Sequence, residues 1–257
     1  MTISVRITPL LFCAGLAQGF LFGQGRAPAP PPVGRAGAVI DLTGYWVSII
    51  DEDWRWRMVT PPKGDFASVP LNGEGRRTGN LWDPAKDESE GNQCKAYGAA
   101  GLMRLPTRLH ITWADDVTMQ VDADAGRQQR LFHFDGSKWQ GGEPQWQGDS
   151  VASWVRQLQS RGFAPPFGGP VPGKGGALKV ETTHMRPGYL RKNGVPYGAN
   201  AILTEYFDRV EFEGDNYLIL TSVVDDPQYL NDTFLTSEQF KLERDGSKWN
   251  PQPCETK

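Results

Sequence analysis

Short segments in which apolar and polar residues alternate, each ended by a turn, run through most of this 257-residue chain. In one of the clearest, Val117, Met119 and Val121 are separated by polar residues. A period of two puts successive side chains on opposite faces of a strand, so the pattern predicts strands that bury one face. Helical spacing is scarce, and residues 150–161 form the best helix candidate. The chain is therefore expected to be all-β.

The predicted strands are short and numerous. We count about nine or ten of them, and they lie at residues 37–50, 55–60, 109–113, 117–122, 127–134, 178–184, 201–212, 216–224 and 234–243. Glu213-Gly214-Asp215, between two of them, is a hairpin signal. Many short strands with regular turns are typical of a sheet closed on itself. We predict an antiparallel meander that closes into a barrel, with long loops and little helix.

Charge and composition exclude some classes of protein. The net charge is −3 and the Lys and Arg residues are scattered, whereas a nucleic-acid-binding surface needs a basic stripe. Hydrophobic residues make up 39% of the chain, which is enough for a packed core. Nine Trp residues are unusually many for this length. Either the core or a binding surface is therefore built with aromatic side chains.

The first 26 residues have the pattern of a secretory signal peptide. Arg6 precedes an apolar stretch at residues 10–22, and no acidic residue occurs before Asp41. The alternative is a membrane anchor, but Gly and Gln interrupt an already short apolar run. We predict that residues 1–26 are removed, that the mature chain has no transmembrane segment, and that the protein is periplasmic or secreted.

The rest of the chain divides by composition. Residues 27–37 are rich in Pro and predict a tether that spaces the domain from the export site. Residues 38–257 are expected to form a single barrel-like domain. Within it, residues 162–176 are too rich in Gly and Pro for regular structure, so we predict a mobile insertion there.

Removal of residues 1–26 would leave two cysteines, Cys94 and Cys254. An even number of cysteines in an exported chain predicts one disulfide, although two unrelated thiols are the alternative. The sequence has no C-x-x-C and no Cys/His spacing typical of a zinc site, and its three histidines are far apart. We expect no metal site and no cofactor.

Gly44-Tyr45-Trp46 lies on the first predicted strand, just after the tether. This G-x-W is similar to the opening motif of the lipocalins, in which the Trp plugs the closed end of the barrel. The resemblance implies a calycin- or lipocalin-like barrel. It also implies an Arg partner for Trp46 on a late strand, for which Arg209 and Arg244 are the candidates.

A longer set of matching residues covers most of the mature chain. It consists of Leu42-Thr-Gly-x-Trp46, Gly73-Glu-Gly-Arg76, Cys94, Met103, Pro106, Gln147-Gly-Asp-Ser150, Trp154, Leu178-x-Val-x-Thr-Thr183, Asn193-Gly-x-Pro196, Glu205 and Asp225-Asp-Pro227. In these residues the chain resembles a group of uncharacterised exported proteins that is common in acidobacteria and proteobacteria. The resemblance implies export and an all-β body, and it supplies no activity. The chain departs from the group's commoner pattern by its insertion between Trp154 and Leu178.

Strand faces identify candidate catalytic residues, because a carboxylate or imidazole on an apolar face needs a partner or a shifted pKa. Asp208, Glu238 and His184 each lie on the more apolar face of a predicted strand. If these faces line one barrel, its interior holds three acid–base groups. Glu205 lies on the opposite face with Arg209, most simply as a surface salt bridge. It also belongs to the matching set above, so it stays a candidate.

Aromatic residues supply candidate ligand contacts. Trp54 and Trp56 would share one strand face and could hold a sugar or a flat ring, although core packing is the simpler alternative. Trp154 lies beside the insertion, and Tyr206 shares a strand face with Asp208.

The basic loop at residues 186–192 adds Arg186 and Tyr189, which could bind an acidic head group.

Together these features favour an exported protein that binds a small lipophilic or aromatic molecule in an aromatic-lined barrel cavity. The alternative is a cofactor-independent isomerase, hydratase or cyclase that uses His, Asp and Glu as acid and base. A carbohydrate-binding protein that uses the paired indoles is a third hypothesis. Convergence of the acidic side chains and His184 on one cavity would favour the enzyme.

Overall fold

The computed structural model describes residues 32–156 and 175–256, which contain eleven strands and four short helices. The strands are β1 (Gly44–Ile49), β2 (Arg108–Trp113), β3 (Thr118–Ala123), β4 (Gln128–His133), β5 (Asp149–Arg156), β6 (Gly176–Thr183), β7 (Gly188–Arg191), β8 (Val195–Tyr197), β9 (Ile202–Phe212), β10 (Asp215–Asp225) and β11 (Phe234–Glu243). The helices are α1 (Trp54–Arg57), α2 (Gly73–Gly79), α3 (Pro84–Ser89) and α4 (Ala99–Leu102), and short 3₁₀ helices lie at Gly34–Gly37 and Gln93–Tyr97.

Nine of these strands close into a barrel in the order β1-β11-β10-β9-β6-β5-β4-β3-β2. Neighbouring strands pair antiparallel except β4 and β5, which run parallel and share only two residue pairs. Strands β7 and β8 form a separate two-stranded sheet. The predicted all-β barrel with little helix is confirmed, and the parallel pair makes it mixed rather than wholly antiparallel.

The longest ladder joins β9 and β10 through the predicted hairpin turn. Phe212 pairs with Asp215, so the loop consists of Glu213 and Gly214. Both loop residues have positive φ, 52° and 82° respectively, as a two-residue type I′ turn requires. Gly adopts this backbone without steric cost, whereas Glu213 adopts it under strain. The turn residues therefore fix the register of this hairpin locally.

Alternate residues of each strand fill the barrel interior. In β11, Phe234, Thr236, Glu238 and Phe240 are all buried, as the period of two requires. A first apolar cluster occupies most of the barrel, and its largest members are Trp46, Tyr97, Phe132, Phe134, Phe207 and Phe240. Much of the aromatic surplus in the composition is therefore core.

A second apolar cluster lies at the end of the barrel where β9 begins and β10 ends. It joins the barrel residues Leu203, Val224 and Phe234 to side chains of α4, β7 and β8. We call the two segments that supply this packing, residues 53–105 and 184–201, the cap. The cap covers one end of the barrel and brings distant parts of the chain onto its interior.

Two predicted elements are wrong. The helix predicted at residues 150–161 is β5, all eight residues of which pair with β6. The strand predicted at residues 55–60 begins as α1, where Asp53 at φ 52° turns the chain and its carbonyl accepts from the backbone N of Arg57 at 3.1 Å. Tertiary hydrogen-bond partners override local spacing in β5, and a backbone reversal overrides the apparent alternation in α1.

The end of the predicted tether packs on the barrel. The indole Nε1 of Trp154 donates to the Gly34 carbonyl at 2.7 Å, and the backbone N of Arg35 donates to the Asp116 carbonyl at 2.9 Å. The tether as predicted is therefore too long at its C-terminal end. The predicted signal peptide, the start of the tether and the insertion up to residue 174 lie outside the described residues.

The predicted disulfide joins Cys94 to Cys254, whose Cα atoms are 5.2 Å apart. It fastens the C-terminal segment beside the β3–β4 connection, where the backbone N of Gln252 donates to the Asp124 carbonyl at 2.9 Å. The disulfide prediction is confirmed. In the described ranges, no helix combines the length and apolar character needed to cross a bilayer.

Candidate functional site

Trp46 closes the barrel end opposite the cap. Its side chain is fully buried, and its indole Nε1 donates to the Leu42 carbonyl at 2.9 Å. Arg209 lies over the indole at 6.0 Å and donates from Nη1 to the Asp41 carbonyl at 2.6 Å. Of the two arginines considered as its partner, Arg209 makes the contact, while Arg244 is exposed on the rim.

A buried ion pair lies inside the barrel. Arg130 donates from Nη1 and Nη2 to the two carboxylate oxygens of Glu205 at 2.9 and 2.6 Å. Both residues are no more than 1% exposed. Arg130 Nη2 also donates to Thr182 Oγ1 at 3.1 Å, and that hydroxyl lies 2.8 Å from Ser150 Oγ. Glu205 is thus an interior residue, and its predicted surface salt bridge with Arg209 is wrong.

A second buried ion pair extends from the barrel to the cap. Arg104 donates from Nη1 to Glu238 at 3.1 Å and from Nη2 to Asp53 at 2.7 Å. Ser222 Oγ donates to the other Glu238 oxygen at 3.4 Å. Burial raises the pKa of Glu238 above its ordinary range, and the positive charge of Arg104 opposes that shift. The interior position predicted for Glu238 is confirmed.

The two pairs form one polar layer across the barrel. In the β9–β10 ladder Glu205 lies opposite Ser222, and Ser222 contacts Glu238. Glu205 follows Leu203 of the second apolar cluster and precedes Phe207 of the first, so the layer separates the two clusters. We use the name polar layer for Arg104, Arg130, Ser150, Thr182, Glu205, Ser222 and Glu238.

The polar layer is a candidate functional feature because it is costly to build. Removing an ion from water costs several kcal/mol, so a buried ion pair is weak evidence of stabilisation. The layer presents guanidinium donors, hydroxyls and a carboxyl group with a raised pKa, which suit the binding of a polar group or the holding of a proton. Within the described ranges no group of three His, Cys, Asp or Glu side chains is placed to hold a metal ion.

Asp208 and Tyr206 lie on the outer face of β9, so the interior position predicted for Asp208 is wrong. Leu203, Glu205 and Phe207 face inward instead. Asp208 is exposed on the rim of an outer cleft, where partial burial raises its pKa. Both faces of β9 carry apolar side chains, and pairing with β6 and β10 decides which one turns inward.

His184 also lies outside the barrel. It follows the end of β6, has φ 55° and is exposed. Its ring stacks on Trp139 with centroids 4.5 Å apart and planes within 16°, and its Nδ1 lies 2.8 Å from Thr183 Oγ1. His184, Asp208 and Glu238 therefore do not meet in one site.

Trp54 and Trp56 diverge because α1 is helical. Trp54 is 64% exposed on the cap. The guanidiniums of Arg55 and Arg191 lie 5.3 and 5.1 Å from the centre of the Trp56 ring, and the Trp56 Nε1 donates to Asp65 at 3.1 Å. The paired indole platform that a sugar would need is absent from this helix.

Trp154, Tyr189 and Arg186, which were also predicted to contact a ligand, each interact with neighbouring side chains of the protein. Trp154 packs at the Trp46 end, where it stacks on Phe134 at 5.3 Å. The Tyr189 hydroxyl donates to Asp87 at 2.8 Å. Arg186 lies 4.3 Å from the centre of the Trp146 ring and donates to Asn92 at 3.1 Å.

A cleft of about 290 Å³ opens at the weakest part of the barrel wall, where β4 and β5 share two residue pairs. It is lined by Gln129, Leu131, His133, Lys138, Trp139, Gln145, Gln147, Gly148, Asp149 and Ser150. We call it the seam cleft. The Trp139 ring that lines it stacks on His184, and Ser150 lines it while its own hydroxyl bonds to Thr182 in the polar layer.

Arg104 and Arg130 were not among the functional residues predicted from the sequence. Arg130 shares a strand face with Phe132 and Phe134, so the alternation of β4 already marked it as inward facing. Arg104 follows α4 in a segment without strand pattern, and no local signal could pair it with Glu238, which is 134 residues away.

Comparisons with known proteins found no match. A scan against protein-family models, a search of curated proteins and a search of solved structures were all negative. The class is therefore described by its own geometry, as a closed nine-stranded barrel with a charged interior layer and an aromatic cleft at one seam. The resemblance to exported proteins stays a prediction.

Proposed function

We propose that this chain is an exported, lipocalin-like protein that binds a small lipophilic or aromatic molecule, with the seam cleft as its site. The observation that carries the proposal is that this cleft combines the Trp139 ring with the polar side chains of Gln129, His133, Lys138 and Gln145. An indole face is a stacking surface for a flat ring. The amide groups of Gln129 and Gln145, which line the same cleft, would orient a polar substituent.

The packing of the barrel interior favours the seam over a central cavity. Inward positions are occupied by side chains of the chain itself, and Trp46, Phe132, Phe207 and Phe240 are no more than 1% exposed. Concavities lined by described residues open on the outer surface. In the seam cleft, an indole lies beside amide, imidazole and ammonium groups.

The size of the seam cleft limits the ligand. Its volume of about 290 Å³ is at the lower end of small-molecule sites, which range over roughly 300–1,000 Å³. A single ring system or a short chain fits that space. Lys138 and His133 line the same cleft, so a ring with an acidic or hydroxyl substituent is the preferred class.

Export is supported by two independent features. The pairing of Cys94 with Cys254 is typical of proteins that mature in an oxidising compartment. The first 26 residues carry the signal pattern. The contact of Arg209 with Trp46 supports the lipocalin-like part of the proposal.

The acid–base alternative has lost its geometric support. It requires His184, Asp208 and Glu238 to converge, but two of them lie outside the barrel and at different places on it. Glu238 is the one inside, and its partners are Arg104 and Ser222.

Ligand-observed fluorine NMR with a set of small fluorinated aromatics, including 4-fluorophenol and 4-fluorobenzoate, tests the binding site. The wild type should broaden the signal of at least one probe. Trp139→Ala removes the stacking surface and should weaken binding about tenfold, since base or ring stacking on an aromatic side chain contributes roughly 1–3 kcal/mol.

Trp54→Ala is the matched control, because it removes an indole that is 64% exposed on the cap, away from the cleft. It should bind the probes as the wild type does. Equal binding by the wild type and Trp139→Ala, or equal losses in both variants, would contradict a site at the seam.

A further inference from the structure

Three arginines of the cap are buried, and some of their hydrogen-bond donors have no acceptor among the described residues. Arg57, Arg104 and Arg191 are 6%, 7% and 4% exposed. Arg57 donates from Nε to the Arg104 carbonyl at 2.8 Å, and Arg191 donates from Nη1 to the Ala67 carbonyl at 2.6 Å. Four of their nitrogen donors, Arg57 Nη2, Arg104 Nε, Arg191 Nε and Arg191 Nη2, have no acceptor among the described residues. Buried donors without acceptors are rare in folded proteins and call for an explanation.

Two of the three arginines make no ion pair among the described residues. Arg104 pairs with Asp53 at 2.7 Å and with Glu238 at 3.1 Å, whereas Arg57 and Arg191 have no carboxylate of the described residues within ion-pair distance. Asp51 acts on Arg57 and Asp65 on Arg191 from a greater distance, and Asp65 is itself paired with Arg55 at 3.3 Å.

Arg104 is close enough to Arg57 and to Arg191 to repel each of them. Burial lowers the pKa of Arg191 to about 10, and the charge of Arg104 contributes to that shift. Burial likewise lowers the pKa of Arg57, and Arg104 adds to that shift. Arg104 is therefore the member of the cluster that acts on both of the others.

Aromatic rings and a strained residue hold the guanidiniums in place. Arg191 lies 5.1 Å from the centre of the Trp56 ring, and Arg104 lies 5.4 Å from that of Phe234. Asp53, at φ 52°, directs its carboxylate to Arg104. Backbone strain in a non-Gly residue is found preferentially at functional sites.

We propose that the arginine cluster binds a small oxyanion, either free or as the carboxylate or phosphate group of a larger molecule. The planar fork of a guanidinium matches two oxygens of such a group. The anion would accept hydrogen bonds from the unpaired nitrogen donors and pair with Arg57 and Arg191, which make no ion pair of their own among the described residues. The site lies in the cap and is independent of the seam cleft.

The test is an anion titration followed by intrinsic tryptophan fluorescence, to which Trp56 contributes, and by thermal unfolding. Phosphate, sulfate and acetate are compared with chloride at matched ionic strength, and phenyl phosphate and benzoate test for a group on a larger molecule. At least one oxyanion should raise the melting temperature of the wild type and change its emission. Arg191→Met keeps the packing over Trp56 but removes two unpaired donors, and it should raise the half-saturating concentration about tenfold or more.

Arg209→Met is the matched control, because Arg209 also lies over an indole, and its Nε and Nη1 donate to Asn216 and to the Asp41 carbonyl. It should respond to the oxyanions as the wild type does. An equal response in the wild type and Arg191→Met, or no response beyond chloride, would overturn the site and leave ordered water alone as the partner of these donors.

A second measurement covers the case in which Arg191→Met does not fold. Crystals of the wild type soaked in selenate locate the anion by the anomalous signal of selenium. Selenate oxygens within hydrogen-bond distance of Arg104 Nε and Arg191 support the proposal, and selenium only elsewhere, or none, overturns it.

Discussion

At the residue scale, Arg130 and Glu205 show how the fold tolerates charge inside a barrel. Each is fully buried, and two hydrogen bonds join them. Thr182 accepts a further bond from Arg130. Because each charge depends on the other, the two residues act as a unit.

Arg130→Met should lower the free energy of unfolding by about 3–5 kcal/mol, because it leaves the Glu205 carboxylate buried without its partner. Adding Glu205→Leu removes that charge and should recover most of the loss. Urea denaturation of both variants measures the difference. A double variant that is no more stable than the single one would show that the pair is not coupled.

Glu238 predicts a pH dependence of stability at the same scale. Burial raises its pKa in the folded state, so as the pH rises the unfolded chain ionises first. The contribution of Glu238 to the free energy of unfolding is complete below about pH 4.3, the ordinary pKa of Glu. It is lost as the pH rises toward the pKa of Glu238 in the folded protein. Relative to Glu238→Gln, the wild type should lose up to about 1.4 kcal/mol per pH unit in that window.

Urea titrations of the wild type and Glu238→Gln at several pH values measure this loss. A stability difference between the two proteins that stays constant from about pH 4 to pH 8 would mean that the pKa of Glu238 is unshifted.

At the element scale, the ladders differ greatly in length. Strands β9 and β10 share eleven residue pairs, whereas β4 and β5 share two. The register of the β9–β10 ladder is set by a local turn. The β4–β5 ladder joins strands separated by a 15-residue connection between His133 and Asp149. The weak ladder is where the seam cleft opens.

Gly214→Ala tests the role of the hairpin turn. Gly214 has φ 82° and open space where the added Cβ would lie, so the substitution should cost about 1 kcal/mol through backbone strain alone. Gly73→Ala is the control, since Gly73 also has open space but lies at the start of α2 without positive φ. It should be neutral or slightly stabilising. Equal effects in thermal unfolding would contradict the turn assignment.

At the scale of the whole molecule, both ends of the barrel are covered. Trp46 and the segment before β1 close one end, and the cap closes the other. The disulfide adds a constraint over a sequence separation of 160 residues, which ties the C-terminal segment to the cap.

Cys254→Ser should lower the free energy of unfolding by about 4–5 kcal/mol on the chain-entropy account of so long a loop. Denaturation of the wild type with and without reductant gives the same comparison without a mutation. The variant should be insensitive to reductant. A variant as stable as the oxidised wild type would show that the cross-link does not contribute.

Much of the fold is predictable from the sequence because its causes are local. Alternation predicted most of the strands, and Glu213-Gly214 predicted the hairpin. The cysteine count predicted the disulfide. Glu238 was placed inside because one face of β11 is clearly more apolar than the other.

The tertiary structure decided which charges meet. Both faces of β9 carry apolar residues, so only pairing with β6 and β10 turned Glu205 inward and left Asp208 outside. Arg104 and Arg191 reach the barrel end from separate parts of the cap. The sequence by itself determined an all-β chain of alternating strands with one disulfide, because these follow from neighbouring residues and composition. The polar layer, the seam cleft and the arginine cluster depend on contacts between residues far apart in the chain, which only closure of the barrel brings together.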